Sequence, residues 1–169
     1  MNPLDMLTGG KAADFAHPAD PAYLAAYLSI SETVKAYTHA IDRRDWATYR
    51  SLFGDTLIVD YKPRQDDIPT GEIAAEKWVL GAKMSLGKLE ATYHHVSTYK
   101  IEIDGETAVA VSYYDARHFE PKARGGVTFT QHGEYTHHLR REDGRWLITE
   151  VHARVLFAEG NATILLGED

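Results

Sequence analysis

Asp42, His94, His95, His118, Tyr37 and Tyr61 are the side chains whose types and positions suit them to moving protons. Asp42 interrupts the stretch YTHAIDRRDWATYRSLF, in which Tyr37, Ile41, Trp46, Tyr49 and Phe53 read as the apolar anchors of helical structure. A carboxylate beside Ile41 is either a helix-end residue in water or a charge held inside for a purpose. Tyr37 precedes it by about one and a half helical turns, and a kink or a tightened last turn would bring both to one pocket mouth. His118 ends a strand-like run. Alternation places it on one face with Ala110, Ser112, Tyr114 and Ala116, and small residues below a histidine suggest a space above the sheet. A surface position near a loop is the plain alternative. His94 and His95 open another run. Regular alternation groups His95 with Tyr99, Ile101 and Ile103, whereas a bulge or a late strand start would turn His94 inward instead. Tyr61 follows Asp60 at a strand end, where a tyrosine either packs amphipathically or donates a hydrogen bond to a substrate oxygen.

A rival constellation lies in QHGEYTHH, where His132, Glu134 and His138 share strand parity. Two imidazoles and a carboxylate on one face are plausible metal ligands. His132 and His138, however, are about 20 Å apart along an extended strand, too far to share an ion without a sharp bend. An outward polar face, at a subunit contact, is the better reading, and no metal is expected. The chain has no G-x-G-x-x-G and no G-x-x-x-x-G-K-[ST], which disfavours nucleotide sites. It has no G-x-S-x-G either, so nothing suggests a serine hydrolase.

The elements that must position these residues follow from the pattern of the 169-residue chain. Its length suits one domain, and 44% apolar residues suffice for a full core. Cysteine is absent, which excludes disulfides and thiolate chemistry. A net charge of −7 without a basic run disfavours nucleic acid. No apolar run approaches the roughly 20 residues of a membrane span, and the N-terminus lacks a secretory signal's basic start and apolar centre. A cytoplasmic protein is expected. Residues 1–20 read as a flexible arm and 21–169 as a single domain. Leu24, Leu28, Ile30, Val34, Tyr37 and Ile41 recur at helical spacing, and Asp45 suits the cap of a short helix through Phe53. TLIVDY, Thr56 to Tyr61, reads as a strand, and Gly71 to Met84 as a third helix. Four long strand-like runs follow, with Asp-Gly turns at Asp104–Glu106 and in EDGR. Helices followed by such a sheet make an α+β plan, a curved antiparallel sheet with helices on one face.

IDRRDW, LIVDY, YHHVS, ARHFEP and REDGRW, in that order across residues 22–158, resemble the nuclear-transport-factor-2-like superfamily. Within it the sequence is most similar to the scytalone dehydratase family, with polyketide-cyclase-like and bile-acid-dehydratase-like members behind. The resemblance implies a cone-shaped sheet wrapped around the N-terminal helices, with a deep pocket. It also implies a catalytic set of Asp42 paired with His94, together with Tyr61 and His118. The match selects His94 over His95 and so implies a late strand start. Ile41 stands where scytalone dehydratase carries a tyrosine, and Tyr37 takes the position used in bile-acid-dehydratase-like members. Gly133 and Tyr135 replace the polar pair of the third long strand, so substrate placement must differ.

The activity implied is loss of water from a β-hydroxy carbonyl compound. His94 would act as base with Asp42 as its orienter. Tyr61 and Tyr37 would polarise the carbonyl, and His118 would protonate or position the leaving oxygen. Such a reaction needs neither metal nor cofactor. Trp78, Tyr113, Tyr135 and Phe157 are expected to line an apolar or aromatic pocket for a hydroxy-ketone. Isomerase and cyclase chemistry share the proton-abstraction step, and the superfamily includes non-catalytic binding and scaffold members. By the same analogy the chain is expected to form a homo-oligomer, a trimer, since its sheet carries apolar residues on both faces.

Overall fold

The computed structural model describes residues 20–61 and 70–166. Helix α1 (Pro21–Asp42) starts where the Asp20 side chain accepts the Ala22 N–H, with proline in the first turn, where it costs no hydrogen bond. Ile30, Val34, Tyr37 and Ile41 are buried along it at spacings of four, three and four, one stripe of a helix that packs on a sheet. Arg44 then takes a left-handed conformation, φ 59°. This ends α1 and turns the chain into α2 (Trp46–Ser51), which Asp45 caps through the Thr48 N–H as its position predicts.

Six strands follow in one sheet: β1 (Phe53–Asp60), β2 (Gly71–Ala74), β3 (Ala91–Asp104), β4 (Thr107–Phe119), β5 (Thr128–Glu142) and β6 (Arg145–Gly160). Their spatial order is β2-β1-β6-β5-β4-β3. The four long strands run antiparallel as expected, while β1 joins the sheet parallel to β6. The hairpin between β5 and β6 closes with Asp143 and Gly144 both at positive φ, 49° and 78°, the backbone that a tight two-residue hairpin requires. Helix α3 (Ala75–Leu86) lies between β2 and β3, and α4 (Thr163–Leu166) follows β6. The third predicted helix therefore begins four residues late. Gly71–Ala74 pair with Thr56–Val59 of β1 instead, because that strand edge offers unpaired backbone groups. The expected N-terminal arm lies outside the described residues, apart from the capping Asp20. Among the described residues no helix is long and apolar enough to cross a membrane.

The sheet curves around α1, α2 and α3 as an α+β cone. Its inner face carries Ala108, Ala110, Tyr114 and Ala116 of β4, Tyr135 and Leu139 of β5, and Ile148, Val151 and Ala153 of β6, all buried. Between Ser97 and Lys100 strand β3 carries one residue more than β4 opposite. That bulge reverses the alternation of the strand, so inner-face parity differs on its two sides.

His137 lies on this inner face, 1% exposed, and neither ring nitrogen has a hydrogen-bond partner among the described residues. Its ring packs edge-on to Tyr37, centroids 4.8 Å apart. Burial, with His138 and His152 nearby, lowers its pKa to about 3 from 6.5. The unfolded chain therefore takes up a proton below pH 6.5 that the folded one refuses, and stability falls with pH down to about 3 at about 1.4 kcal/mol per pH unit. His137→Phe keeps an aromatic ring and removes this titration. Urea unfolding across that window should show the variant losing stability less steeply than the parent by about that slope, and equal slopes would show His137 to be charged when folded.

Candidate active site

Asp42 ends α1, the negative pole of the helix, where a carboxylate is electrostatically misplaced. Strand β3 compensates. His94 donates Nδ1–H to Asp42 Oδ1 at 2.6 Å and its backbone N–H to Oδ2 at 2.8 Å. Thr92 donates its hydroxyl to Oδ1 at 2.8 Å. Burial by itself would raise the Asp42 carboxyl, but the His94 ring and amide and the Thr92 hydroxyl together hold it below its ordinary value. The His94 side chain is 4% exposed and that of Asp42 21%. A carboxylate is acceptor only, so it fixes the proton on Nδ1 and leaves the Nε2 lone pair of the neutral ring for a proton.

The bulge in β3 decides which histidine does this. His94 falls on the inner face with Thr92, whereas the His95 side chain is 58% exposed and lies 3.9 Å from Asp115 on the outside. The strand begins at Ala91, ahead of both histidines, so an extra residue, not a late start, turns His94 inward. His118, 2% exposed, stands across the β3–β4 pair with its ring 6.0 Å from that of His94 at 88°. Its Nδ1 donates to the Phe129 carbonyl at 3.2 Å, which again leaves the Nε2 lone pair on the neutral ring.

A second polar group lies further along the inner face. Tyr37 and Tyr61 share a hydrogen bond between their hydroxyls, 3.1 Å. Both are buried, Tyr61 against the Trp78 ring at 5.5 Å and Tyr37 against Tyr135 at 5.9 Å. Burial, followed by the neighbouring Tyr49 and Tyr135, pushes the Tyr37 phenol well above its ordinary value, so it stays protonated. Helix α1 connects the two groups, with Tyr37 and Asp42 about 7.5 Å apart along its axis.

Tyr113 and Phe157 are not part of this interior. Tyr113 alternates against the inner-facing Ser112 and Tyr114, and is 47% exposed. Phe157 lies past a bulge on the outer face, 59% exposed, and stacks on His132 with centroids 4.4 Å apart. Gly133 has a steric reason. A Cβ there would meet the Tyr114 ring at 2.7 Å and the Arg154 carbonyl at 2.3 Å, and the bare backbone lets Tyr114 stack on Tyr135 at 4.0 Å. His132 pairs with Asp115 and Glu159 on the outer face and shares no site with His138.

Residue reasoning missed Thr92, Arg44 and His137. Arg44 donates to Thr92 Oγ1 at 2.7 Å, to the Ile41 carbonyl at 2.8 Å and to the Leu89 carbonyl at 3.3 Å. It thereby ties the end of α1 to the start of β3. Nothing in the dipeptide Arg43-Arg44 distinguishes its second arginine, because the left-handed turn that aims it is a property of the helix end.

The SnoaL-like domain profile matches residues 22–152. No curated protein matches the sequence. Among solved structures, the Kfla4162 protein of Kribbella flavida superposes with a TM-score of 0.77 at 20% identity, over 83% of this chain and 97% of the other. A Novosphingobium aromaticivorans DSM 12444 protein provisionally named scytalone dehydratase gives 0.68 at 23% identity, over 81% and 88%. The hexachlorocyclohexane dehydrochlorinase LinA-type3 of Novosphingobium barchaimii LL02 gives 0.66 at 14%, over 83% and 92%. At these identities the likeness is one of fold.

Proposed function

We propose, for a chain that belongs to the SnoaL-like domain family of nuclear-transport-factor-2-like proteins, an acid–base lyase that removes water from a β-hydroxy carbonyl compound. One observation carries this reading: a nearly buried imidazole held by a carboxylate, His94 Nδ1 to Asp42 Oδ1, 2.6 Å. Elimination begins when His94 Nε2 takes the proton next to the carbonyl and the ring becomes an imidazolium beside Asp42. The hydrogen-bonded hydroxyls of Tyr37 and Tyr61 would turn toward the developing enolate oxygen and stabilise it as donors. The enolate then expels the β-hydroxyl, which leaves as water with the proton that His94 Nε2 took, while His118 positions the leaving oxygen. Trp78 and Tyr135 supply the apolar surface for a small hydroxy-ketone. The same first step serves an isomerase or a cyclase, and the relative named a dehydrochlorinase fits an elimination with a different leaving group.

A second reading has one observation in its favour. The stacked rings of Tyr114 and Tyr135 occupy inner-face space, as a non-catalytic binding or scaffold protein would allow. A screen of β-hydroxy ketones by mass spectrometry for loss of one water separates the two. His94→Ala should abolish turnover of the best substrate while circular dichroism stays unchanged, and undiminished turnover would refute the base. Tyr37→Phe should slow turnover by about tenfold or more, the scale of one lost donor; an unchanged rate would remove Tyr37 from the carbonyl site. The exposed Tyr113 and Phe157 suit a homotrimer joined through the outer sheet face. Sedimentation should give three times the chain mass, and a monomeric mass would exclude it.

A further inference from the structure

The outer face of the sheet assembles a second set of ionisable side chains, independent of His94 and Asp42. His138 on β5 stands opposite Glu150 on β6, and Glu150 and His152, two residues apart on one strand, point to the same side. One ligand atom from each of the three lies within 4.8 Å of the other two. Asp60, the last residue of β1, is in register with His152. His152 places Nε2 at 2.9 Å from Glu150 Oε2 and Nδ1 at 3.9 Å from Asp60 Oδ2. The ring of His138 lies 5.5 Å from that of His152 and makes no hydrogen bond among the described residues. Thr149, the extra residue of a bulge in β6, donates its hydroxyl to the His138 carbonyl at 3.2 Å and locks the two ligand-bearing strands together.

We propose that His138, Glu150 and His152 bind a first-row divalent cation, zinc in the first instance. Imidazole and carboxylate are the donor types that such ions take. Two carboxylates with two neutral imidazoles sum to −2, the complement of a dication. Metal bonds of about 2.0–2.1 Å in tetrahedral geometry need ligand atoms about 3.4 Å apart; small side-chain rotations would adjust the present spacing, within 4.8 Å, to that. His152 binds through Nε2, beside Glu150, and presents Nδ1–H to Asp60, which becomes the carboxylate that orients a metal-bound histidine. His138 and Glu150 also line a recess of about 720 Å³, with Ile58 and Val109, which would leave room for water as the fourth ligand. The ion joins β5 to β6 and, through Asp60, to β1, the strand that delivers Tyr61.

The test uses the full chain, stripped with a chelator and titrated with zinc chloride by calorimetry, with cobalt(II) absorption as a report on the ligand set. The parent should bind one zinc per chain and melt at a higher temperature with it. His138→Gln and His152→Gln should each weaken binding by about tenfold to a hundredfold, while His132→Gln, on the same face, should leave it unchanged. Because the His138 ring has no hydrogen bond to lose, that variant carries the test if His152→Gln fails to fold. No zinc binding by the parent, or binding by both variants as tight as the parent's, overturns the proposal. His152 would then serve only to link Glu150 of β6 to the end of β1.

Discussion

The contact between His94 and Asp42 is the constraint on which the arrangement of the interior depends. It joins residues fifty-two positions apart, 2.6 Å from nitrogen to oxygen. It places a carboxylate at the end of a helix that does not favour negative charge. Such a placement is stable only because β3 delivers a ring N–H, a backbone N–H and a hydroxyl to that carboxylate. Removing one partner from such a cluster leaves a desolvated charge, which costs far more than an average hydrogen bond contributes. The helix end, the left-handed Arg44 and the start of β3 therefore form one unit.

The interior around that unit is unusually rich in aromatic and polar groups for a small core. Tyr37 touches Tyr49, Phe53, Tyr135 and His137 and shares its hydroxyl with Tyr61. A core built for stability alone would use aliphatic residues, since each buried phenol or imidazole loses hydration that must be replaced. His137 illustrates the cost: burial holds its pKa low, and neither nitrogen has a partner among the described residues. Polar groups kept inside at such a cost are characteristic of sites that act on a ligand, which is the physical basis for placing the proposed chemistry here.

The two faces of the sheet divide the histidines. His94, His118 and His137 lie inside, while His95, His132, His138 and His152 lie outside. The outer four are interleaved with Asp60, Asp115, Glu150 and Glu159. Alternation along β3 and β5 produces this division from adjacent residues of one type, His94 and His95 on the one strand and His137 and His138 on the other. One strand thus contributes to an apolar interior and to a charged exterior at the same time.

The order of helices and strands, the Asp45 cap, the two hairpin turns and the inward face of β4 were legible in the sequence, because each follows from periodicity or turn chemistry within a few residues. So were Asp42, His118, Tyr37 and Tyr61 as candidates, and the family likeness paired Asp42 with His94. Local pattern could not choose between His94 and His95, since a single extra residue between Ser97 and Lys100 reverses the strand's parity and nothing in the residue types announces it. Nor could it find the strand at Gly71–Ala74, which forms only because an edge is there to pair with. Arg44, Thr92 and the grouping of His138 with Glu150, His152 and Asp60 were likewise decided by the tertiary structure. They depend on how separate strands come into register, and a linear chain carries no local sign of which distant residue its side chains will meet.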